Sequence, residues 1–172
     1  AESFIAGVLE KTPEITLFLN PLPNSYERLG AFEAPKYVSW SRGNRSQLIR
    51  IPETQGERMR MELRSPDPST NPYLAFALVI SAGFYGIENN LKLPESVNVD
   101  LYSAGESITG KLEKLPRSME EALKLAQNSD FVRKVLNEEV IDKFIYLKTM
   151  ELENYNMAFD KNKFFIDNYF KV

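Results

Sequence analysis

The stretch "ERMRMELRSPDP", residues 57–68, alternates charged and apolar side chains. The charged residues take every second position and the apolar ones lie between them: Arg58, Arg60, Glu62 and Arg64 against Met59, Met61 and Leu63. Successive side chains of an extended chain point to opposite faces, so this pattern predicts a β-strand. One face would hold three guanidinium groups around one carboxylate, and the apolar face would pack on the core.

Two other short segments with strand character precede this one, "KYVSWS" at residues 36–41 and "QLIRIP" at residues 47–52. Turn-rich sequence separates all three, which predicts antiparallel neighbours in one sheet. A short amphipathic helix is predicted to end before Pro13, because proline cannot donate a helical hydrogen bond. The proline-rich stretch at residues 19–36 predicts a long, ordered loop of the kind that carries functional residues.

The second part of the chain is predicted to be mainly helical. Asn71 and Pro72 form a helix start, and the helix to about Ile87 is apolar on nearly every side, so it is expected to be buried over most of its surface. Ser118 with Glu121 forms a capping box, and a long helix is expected at residues 138–155. The fold class is therefore α+β: residues 1–70 form helix, loop and strands, and residues 71–172 are mainly helical.

Composition excludes several classes of protein. The 172 residues carry 21 basic and 24 acidic side chains, a net charge of -3, which argues against a nucleic-acid or anionic-membrane binder. There is no cysteine or histidine, so thiol nucleophiles, histidine bases and imidazole metal sites are excluded. The longest apolar run is too short to cross a bilayer. A reducing cytoplasm is the expected location.

Arginines and carboxylates are therefore the groups available for chemistry, and they are concentrated between Arg28 and Arg64. Alternating charge could simply cover the solvent face of an antiparallel sheet. Alternatively, the arginines could converge on phosphate or carboxylate groups, with Glu62 holding a hard cation among them. The residues alone leave both interpretations open.

The order of the motifs favours the second interpretation. "NPLPNSYERL", "FEAP", "WSRGNRSQLIRIP" and "RMRMELRSPDPSTNPYLA" follow one another along residues 20–75. In this order the sequence resembles the C-terminal part of the catalytic domain of bacterial type I glutamine synthetase, an ATP-dependent glutamate-ammonia ligase. The resemblance implies that the strands come from the barrel of that domain and pack with a helical C-terminal region.

The resemblance also implies roles for residues in the loops. Arg28 matches an arginine that binds the substrate glutamate, and Glu33 matches the glutamate of a flap that closes over the site and takes a proton from ammonium. Arg45 matches the arginine that polarises the transferred phosphoryl group, between glutamate and ATP. Arg50 matches an arginine that holds ATP phosphates. Glu33 and Arg45 are thus the implied catalytic residues, and both also lie against glutamate.

In the strand, the resemblance implies that Arg60 contacts nucleotide phosphate, Glu62 ligates a divalent metal, Mg²⁺ or Mn²⁺, and Arg64 contacts glutamate. Tyr102 lies near a tyrosine that is adenylylated in some members, but the prolines that follow it there are missing, so Tyr102 is expected to be unmodified. The aromatic tail at residues 164–170 is expected to dock on the parent body or on a neighbouring subunit.

The resemblance covers only the C-terminal part of the domain. The chain is expected to be a fragment without the N-terminal β-grasp domain and most barrel strands, and to be inactive alone. The implied full-length protein is a homo-dodecamer with active sites between subunits, using glutamate, ammonia and ATP. Two alternatives stay open: a related carboxylate-amine ligase of the γ-glutamylpolyamine synthetase type, and a non-enzymatic scaffold of the same fold.

Overall fold

The computed structural model describes residues 1–31 and 33–170. Its helices are α1 (Glu2–Leu19), α2 (Pro72–Glu88), α3 (Glu106–Thr109), α4 (Met119–Gln127), α5 (Asp130–Val135), α6 (Glu138–Met157) and α7 (Lys161–Tyr169). Its strands are β1 (Trp40–Arg42), β2 (Ile49–Ile51) and β3 (Glu62–Leu63), and 3-10 turns lie at Pro23–Arg28 and Gly56–Arg58. Helices and a small sheet share one core, which confirms the α+β prediction.

The prediction that the first helix ends before Pro13 was wrong: helix α1 continues through Pro13 to Leu19. Pro13 removes one helical hydrogen bond, a change that costs about 3 kcal/mol in an isolated helix. Burial offsets this cost, because residues on both sides of Pro13, such as Leu9 and Leu17, are almost inaccessible to solvent. The hydroxyls of Thr12 and Thr16 also donate to the carbonyl oxygens four residues earlier, at 2.5 and 2.7 Å.

Glycines let α1 and α2 approach closely. A Cβ atom placed on Gly7 would lie only 2.1 Å from the carbonyl oxygen of Ala82 and 2.6 Å from the backbone nitrogen of Gly86. A Cβ atom on Gly86 would lie 2.0 Å from the carbonyl oxygen of Ser3. The two helices are therefore in backbone-to-backbone contact, and only glycine fits at the crossing.

Helix α2 begins as predicted, with Asn71 accepting hydrogen bonds from the amides of Tyr73 and Leu74. The prediction that α2 is buried over most of its surface, however, was wrong. One side packs on α1, while a stripe at helical spacing is exposed to solvent: Tyr73, Phe76, Ile80, Phe84 and Ile87. The all-round apolar pattern could not show that the described residues cover only one side of this helix.

The sheet has the order β1-β2-β3 and is mixed. Strands β2 and β3 are antiparallel, as predicted, but β1 and β2 are parallel, so the prediction of antiparallel neighbours was wrong for this pair. Parallel neighbours usually need a crossover of a dozen residues or more. Here β1 and β2 are each three residues long, about 10 Å, so the six residues between Arg42 and Ile49 can bring the chain back to the start of β1.

Strand β3 is much shorter than the alternating pattern predicted. Only Glu62 and Leu63 pair with β2, and the start of the predicted strand instead forms a 3-10 turn at Gly56–Arg58. Met61 and Leu63 pack against the core, as expected for the apolar face. Met59 does not, since 72% of it is exposed.

The C-terminal helices close the fold. Ser118 caps α4 by accepting a hydrogen bond from the amide of Glu121. Helix α6 is the long helix that the sequence predicted at residues 138–155. Of the tail aromatics, Phe164, Phe165 and Tyr169 pack within the chain on Tyr155 of α6 and on one another, with ring centroids 5.5–6.1 Å apart. Among residues 1–31 and 33–170, no helix combines the length and apolar character needed to span a membrane.

Candidate active site

Three arginines surround the carboxylate of Glu62. The antiparallel register places Arg50 of β2 directly opposite Glu62 of β3, and Arg50 Nη1 lies 2.8 Å from Glu62 Oε2. Arg60 Nη2 lies 3.0 Å from Glu62 Oε1, and Arg64 Nη1 lies 3.9 Å from Oε2. Strand pairing and the alternation of charges around Glu62 together bring these four charged groups to one point.

These contacts keep Glu62 ionised. The hydrogen bond from Arg50 lowers the pKa of the Glu62 carboxyl, and Arg60 acts in the same direction, while partial burial opposes them. The Glu62 side chain is 26% exposed, so the carboxylate remains reachable from solvent. The ionised Glu62 carboxylate is thus held among three guanidinium groups, so positive charge exceeds negative charge at this point.

Arg64 ties two loops to the sheet. Its Nε donates to the carbonyl oxygen of Arg45 at 3.0 Å, and its Nη2 donates to the carbonyl oxygen of Glu33 at 2.9 Å. The side chain is only 17% exposed. Because the guanidinium is a rigid planar fork, these two bonds fix the loop of Arg45 relative to that of Glu33.

Glu33 and Arg45 face each other at the open side of the cluster. Arg45 Nη1 lies 3.4 Å from Glu33 Oε1, and each side chain is 59% exposed. Glu33 has a φ angle of 62°, in the left-handed region that non-glycine residues rarely adopt. Its turn is closed by the amide of Gly30, which donates to the carbonyl oxygen of Ala34 at 3.0 Å.

Arg28 lies in a second set of contacts. It donates through Nη2 to Asn20 Oδ1 at 3.0 Å and to the carbonyl oxygen of Ser65, and its Nε lies 4.0 Å from Asp67 Oδ2. Burial lowers the pKa of Arg28, an effect that Asp67 opposes. The amide of Asp67 in turn donates to the carbonyl oxygen of Leu19 at 2.8 Å. Arg28 is thus held between the end of α1 and the residues that follow β3.

The structure joins six of the seven predicted site residues in one network of ion pairs and hydrogen bonds: Glu33, Arg45, Arg50, Arg60, Glu62 and Arg64. Within residues 1–31 and 33–170, Arg28 is linked to that network through the backbone of Ser65, the residue after Arg64. Sequence reasoning missed Asn20 and Asp67, the partners of Arg28. Their distance from Arg28 along the chain gave no signal, although Asn20 begins the quoted "NPLPNSYERL" motif.

The donor groups do not make a complete site for a divalent metal. Among residues 1–31 and 33–170, no group of three or more acidic side chains is placed to hold an ion. A hard cation needs about six oxygen ligands, and among the described residues this network offers the carboxylates of Glu62 and Glu33. Both carboxylate oxygens of Glu62 lie beside arginine nitrogens.

Arginines that converge on one carboxylate from two neighbouring strand segments, with a further arginine in the adjoining loop, are typical of proteins that handle phosphate and carboxylate groups. Residues 1–166 match the family described as "Glutamine synthetase, catalytic domain". The chain therefore belongs to the glutamine synthetase catalytic-domain family, which confirms the resemblance stated above.

Named relatives agree. The chain is 44% identical over 155 residues to the glutamine synthetase of Methanosarcina mazei and 41% identical over 158 residues to that of Staphylococcus aureus. These alignments cover 88% and 90% of this chain but 35% of each relative, so the chain spans about a third of their length.

Solved structures show the same fold. The chain is similar to the structure described as "GmaS/ADP complex-Conformation 1", with a TM-score of 0.80 and 26% identity over 99% of this chain and 39% of that one. It is also similar to "Apo GmaS without ligand", with a TM-score of 0.82 and 27% identity over 100% of this chain and 38% of that one.

Proposed function

We propose that this chain forms part of the active site of an ATP-dependent ligase that makes glutamine from glutamate and ammonia. The observation that carries the proposal is the cluster of Arg50, Arg60 and Arg64 around Glu62 in a chain of this family, with Arg45 linked to it through Arg64. A sheet that merely carried solvent-facing charge would not need these groups to converge. We also propose that residues 1–172 are the C-terminal part of the catalytic domain.

The reaction is phosphoryl transfer followed by amide formation. The γ-carboxylate of glutamate attacks the terminal phosphorus of ATP, the bond to ADP breaks, and a γ-glutamyl phosphate forms. Ammonia then attacks the acyl carbon, and phosphate leaves. Such transfer depends on positioning and on neutralising charge, which arginines supply without histidine.

The solvent exposure of the arginine side chains supports different roles for them in binding phosphate. Arg45 and Arg60 are 59% and 52% exposed, so their guanidinium groups can turn toward phosphate oxygens. In the proposal, Arg45 stabilises the transferred phosphoryl group beside glutamate, while Arg50 and Arg60 bind the ATP phosphates. One of the similar solved structures is a complex of GmaS with ADP, which supports nucleotide binding by this fold.

Glutamate is proposed to bind to Arg28 and Arg64. Both are largely shielded from solvent, with 26% and 17% of the side chain exposed, and a shielded guanidinium binds a carboxylate more strongly than an exposed one. Glu33, exposed on its turn, is proposed to accept a proton from ammonium and to shield the acyl phosphate from water.

The metal and the subunit arrangement belong to the longer protein. Mg²⁺ or Mn²⁺ would neutralise the phosphates during transfer, and Glu62 would supply one of its ligands. The remaining ligands have to come from outside the described residues, because Glu62 is a single carboxylate. We further propose active sites that lie between the subunits of a homo-oligomer, a dodecamer, and a chain that is inactive alone.

The test uses purified full-length protein with ATP, magnesium, glutamate and ammonium, measuring glutamine and phosphate separately. We expect one glutamine per phosphate, and little product when a polyamine replaces ammonium. Arg60→Lys should weaken the apparent affinity for ATP, whereas Arg58→Lys should not, because Arg58 is also exposed but forms no ion pair with Glu62 within the part of the chain that the structure describes. Absence of glutamine, or equal kinetics for the two variants, would refute the proposal.

The 172-residue chain is assayed beside it. It should release no phosphate above a blank. One metal-binding carboxylate, without the residues of a neighbouring subunit, cannot hold ATP and glutamate in line for transfer. Turnover that persisted through further purification would contradict the proposed division between subunits.

A further inference from the structure

A segment at residues 97–102, here called the brace, is hydrogen-bonded to the strand and loops that carry the candidate active site. The amide of Val97 donates to the carbonyl oxygen of Trp40 at 2.9 Å. Gln47 Nε2 donates to the carbonyl oxygen of Val99 at 3.0 Å, and the amide of Leu101 donates to Ser46 Oγ at 2.9 Å. The brace is thus fastened to β1 and to the residues that follow Arg45.

At its end, the brace reaches the turn that carries Glu33. The hydroxyl of Tyr102 donates to the carbonyl oxygen of Ala34 at 3.1 Å, across 68 residues of chain. The neighbouring carbonyl, that of Glu33, accepts from Arg64 at 2.9 Å. Arg64 and Tyr102 therefore bind the consecutive carbonyl groups of Glu33 and Ala34. Both hydrogen bonds fix the backbone next to the Glu33 side chain.

The surroundings of Tyr102 suit a hydrogen-bond donor. Burial raises the pKa of the Tyr102 phenol, and the carboxylates of Glu33 and Asp100 add to this effect against the opposing influence of Arg64. The hydroxyl therefore keeps its proton near neutral pH. Behind the turn lies a cavity of about 170 Å³ lined by Gly30, Lys36, Tyr37, Ser46, Leu101, Tyr102 and Ala104. This space leaves the turn room to move once the bond from Tyr102 is lost.

We propose that Tyr102 is a positioning residue that holds the Glu33 turn over the site. It acts through the backbone of Ala34 and does not touch substrate. The brace transmits the position of the Arg45 loop to the turn, so that Glu33 and Arg45 keep their 3.4 Å separation. The proposal deepens the ligase function and rests on it for its catalytic consequence, but the structural link can be tested separately.

The experiment compares full-length wild type with Tyr102→Phe, which removes one hydroxyl and keeps the ring. Tyr146→Phe is the matched control, because Tyr146 is 64% exposed on α6. Hydrogen exchange is followed in peptides covering residues 29–35 and 43–48, and glutamine and phosphate are measured in the same preparations. The apparent KM for ATP is determined for each protein.

Loss of one hydrogen bond should speed amide exchange in residues 29–35 by about five- to tenfold and leave residues 43–48 unchanged. Phosphate released per glutamine should rise above one, because water reaches the acyl phosphate, while the KM for ATP stays within about twofold of wild type. Wild-type exchange in Tyr102→Phe overturns the structural link. Faster exchange with an unchanged phosphate-to-glutamine ratio overturns the positioning role.

The two proposals fail in different ways. If wild type itself forms no glutamine, the ligase function is wrong, and the exchange data alone decide whether Tyr102 holds the turn. If wild type forms glutamine and Tyr146→Phe matches Tyr102→Phe in every measurement, Tyr102 has no special role.

Discussion

Substituting Gly7 by alanine should destabilise the chain, although alanine is the better helix former. The added Cβ atom would lie 2.1 Å from the carbonyl oxygen of Ala82 and 2.6 Å from the nitrogen of Gly86. Non-bonded atoms need roughly 3.5 Å. Since both obstacles are backbone atoms, α1 and α2 have to separate by more than about 1 Å.

The size of the effect follows from two opposing contributions. Overpacking of this kind costs roughly 1–3 kcal/mol, and the higher helix propensity of alanine returns about 1 kcal/mol. Backbone atoms cannot rotate away, so we expect the upper end of the cost. The net loss in the free energy of unfolding should be about 2 kcal/mol.

Gly83→Ala is the matched control in the same pair of helices. Its Cβ atom would lie 2.0 Å from Cε2 of Phe4, but a side chain can turn aside. That movement loses the edge-to-face contact of Phe4 with Phe84, whose ring centroids are 6.4 Å apart. Such contacts contribute about 0.5–1.5 kcal/mol, which the gain in helix propensity largely offsets.

The assay is urea unfolding of the 172-residue chain at 25 °C, followed by far-ultraviolet circular dichroism. Gly7→Ala should lower the midpoint without changing the slope, and Gly83→Ala should leave the midpoint almost unchanged. Equal midpoints for the two variants, or a rise for Gly7→Ala, would refute the argument that backbone contact sets the distance between α1 and α2.

Other substitutions probe the site. The hydrogen bond from Arg50 holds the pKa of Glu62 below its usual 4.5. Ionised Glu62 therefore stabilises the fold above pH 4.5, and this contribution is lost as the pH falls through the lowered pKa. As the pH is lowered in steps, the urea midpoint should fall more steeply for wild type than for Glu62→Gln. In the full-length protein, Glu62→Gln should also require a higher magnesium concentration for half-maximal activity. Glu33→Ala should slow amide formation far more than it weakens ATP binding, and kinetics showing the reverse would contradict the proton-accepting role. Arg64→Lys should weaken apparent glutamate affinity by about 1.5–3 kcal/mol, because the planar fork is lost; a wild-type glutamate titration curve would exclude that role.

Local signals in the sequence were sufficient where a structure depends on neighbours along the chain. The cap at Asn71 followed from one side chain and the proline after it, and the structure shows those bonds. The same holds for Ser118 at the start of α4. The alternation around Glu62 likewise placed Arg60 and Arg64 beside its carboxylate. It did not predict Arg50, which comes from β2, and it included Arg58, which forms no ion pair with Glu62 among the described residues.

Predictions failed where distant contacts decide the outcome. Pro13 is tolerated because α1 is buried against elements far away in sequence, and tertiary packing overrides a local helix-breaking signal. The parallel pairing of β1 and β2 could not be derived, because the residue pattern of a short strand carries no information about its direction. The contacts of Arg28 with Ser65 and Asp67 were also not predicted, because these residues lie almost 40 positions away along the chain and no spacing rule could reveal them.

The left-handed conformation of Glu33 has a consequence for what the sequence can tolerate at that position. Glycine adopts a φ angle of 62° without steric cost, whereas a residue with a Cβ atom loses about 1 kcal/mol there. Glu33→Gly should therefore make the chain more resistant to urea while removing the carboxylate that faces Arg45. At this one position the sequence that folds best and the sequence that works best would be different sequences, and selection for stability alone would be expected to remove the glutamate.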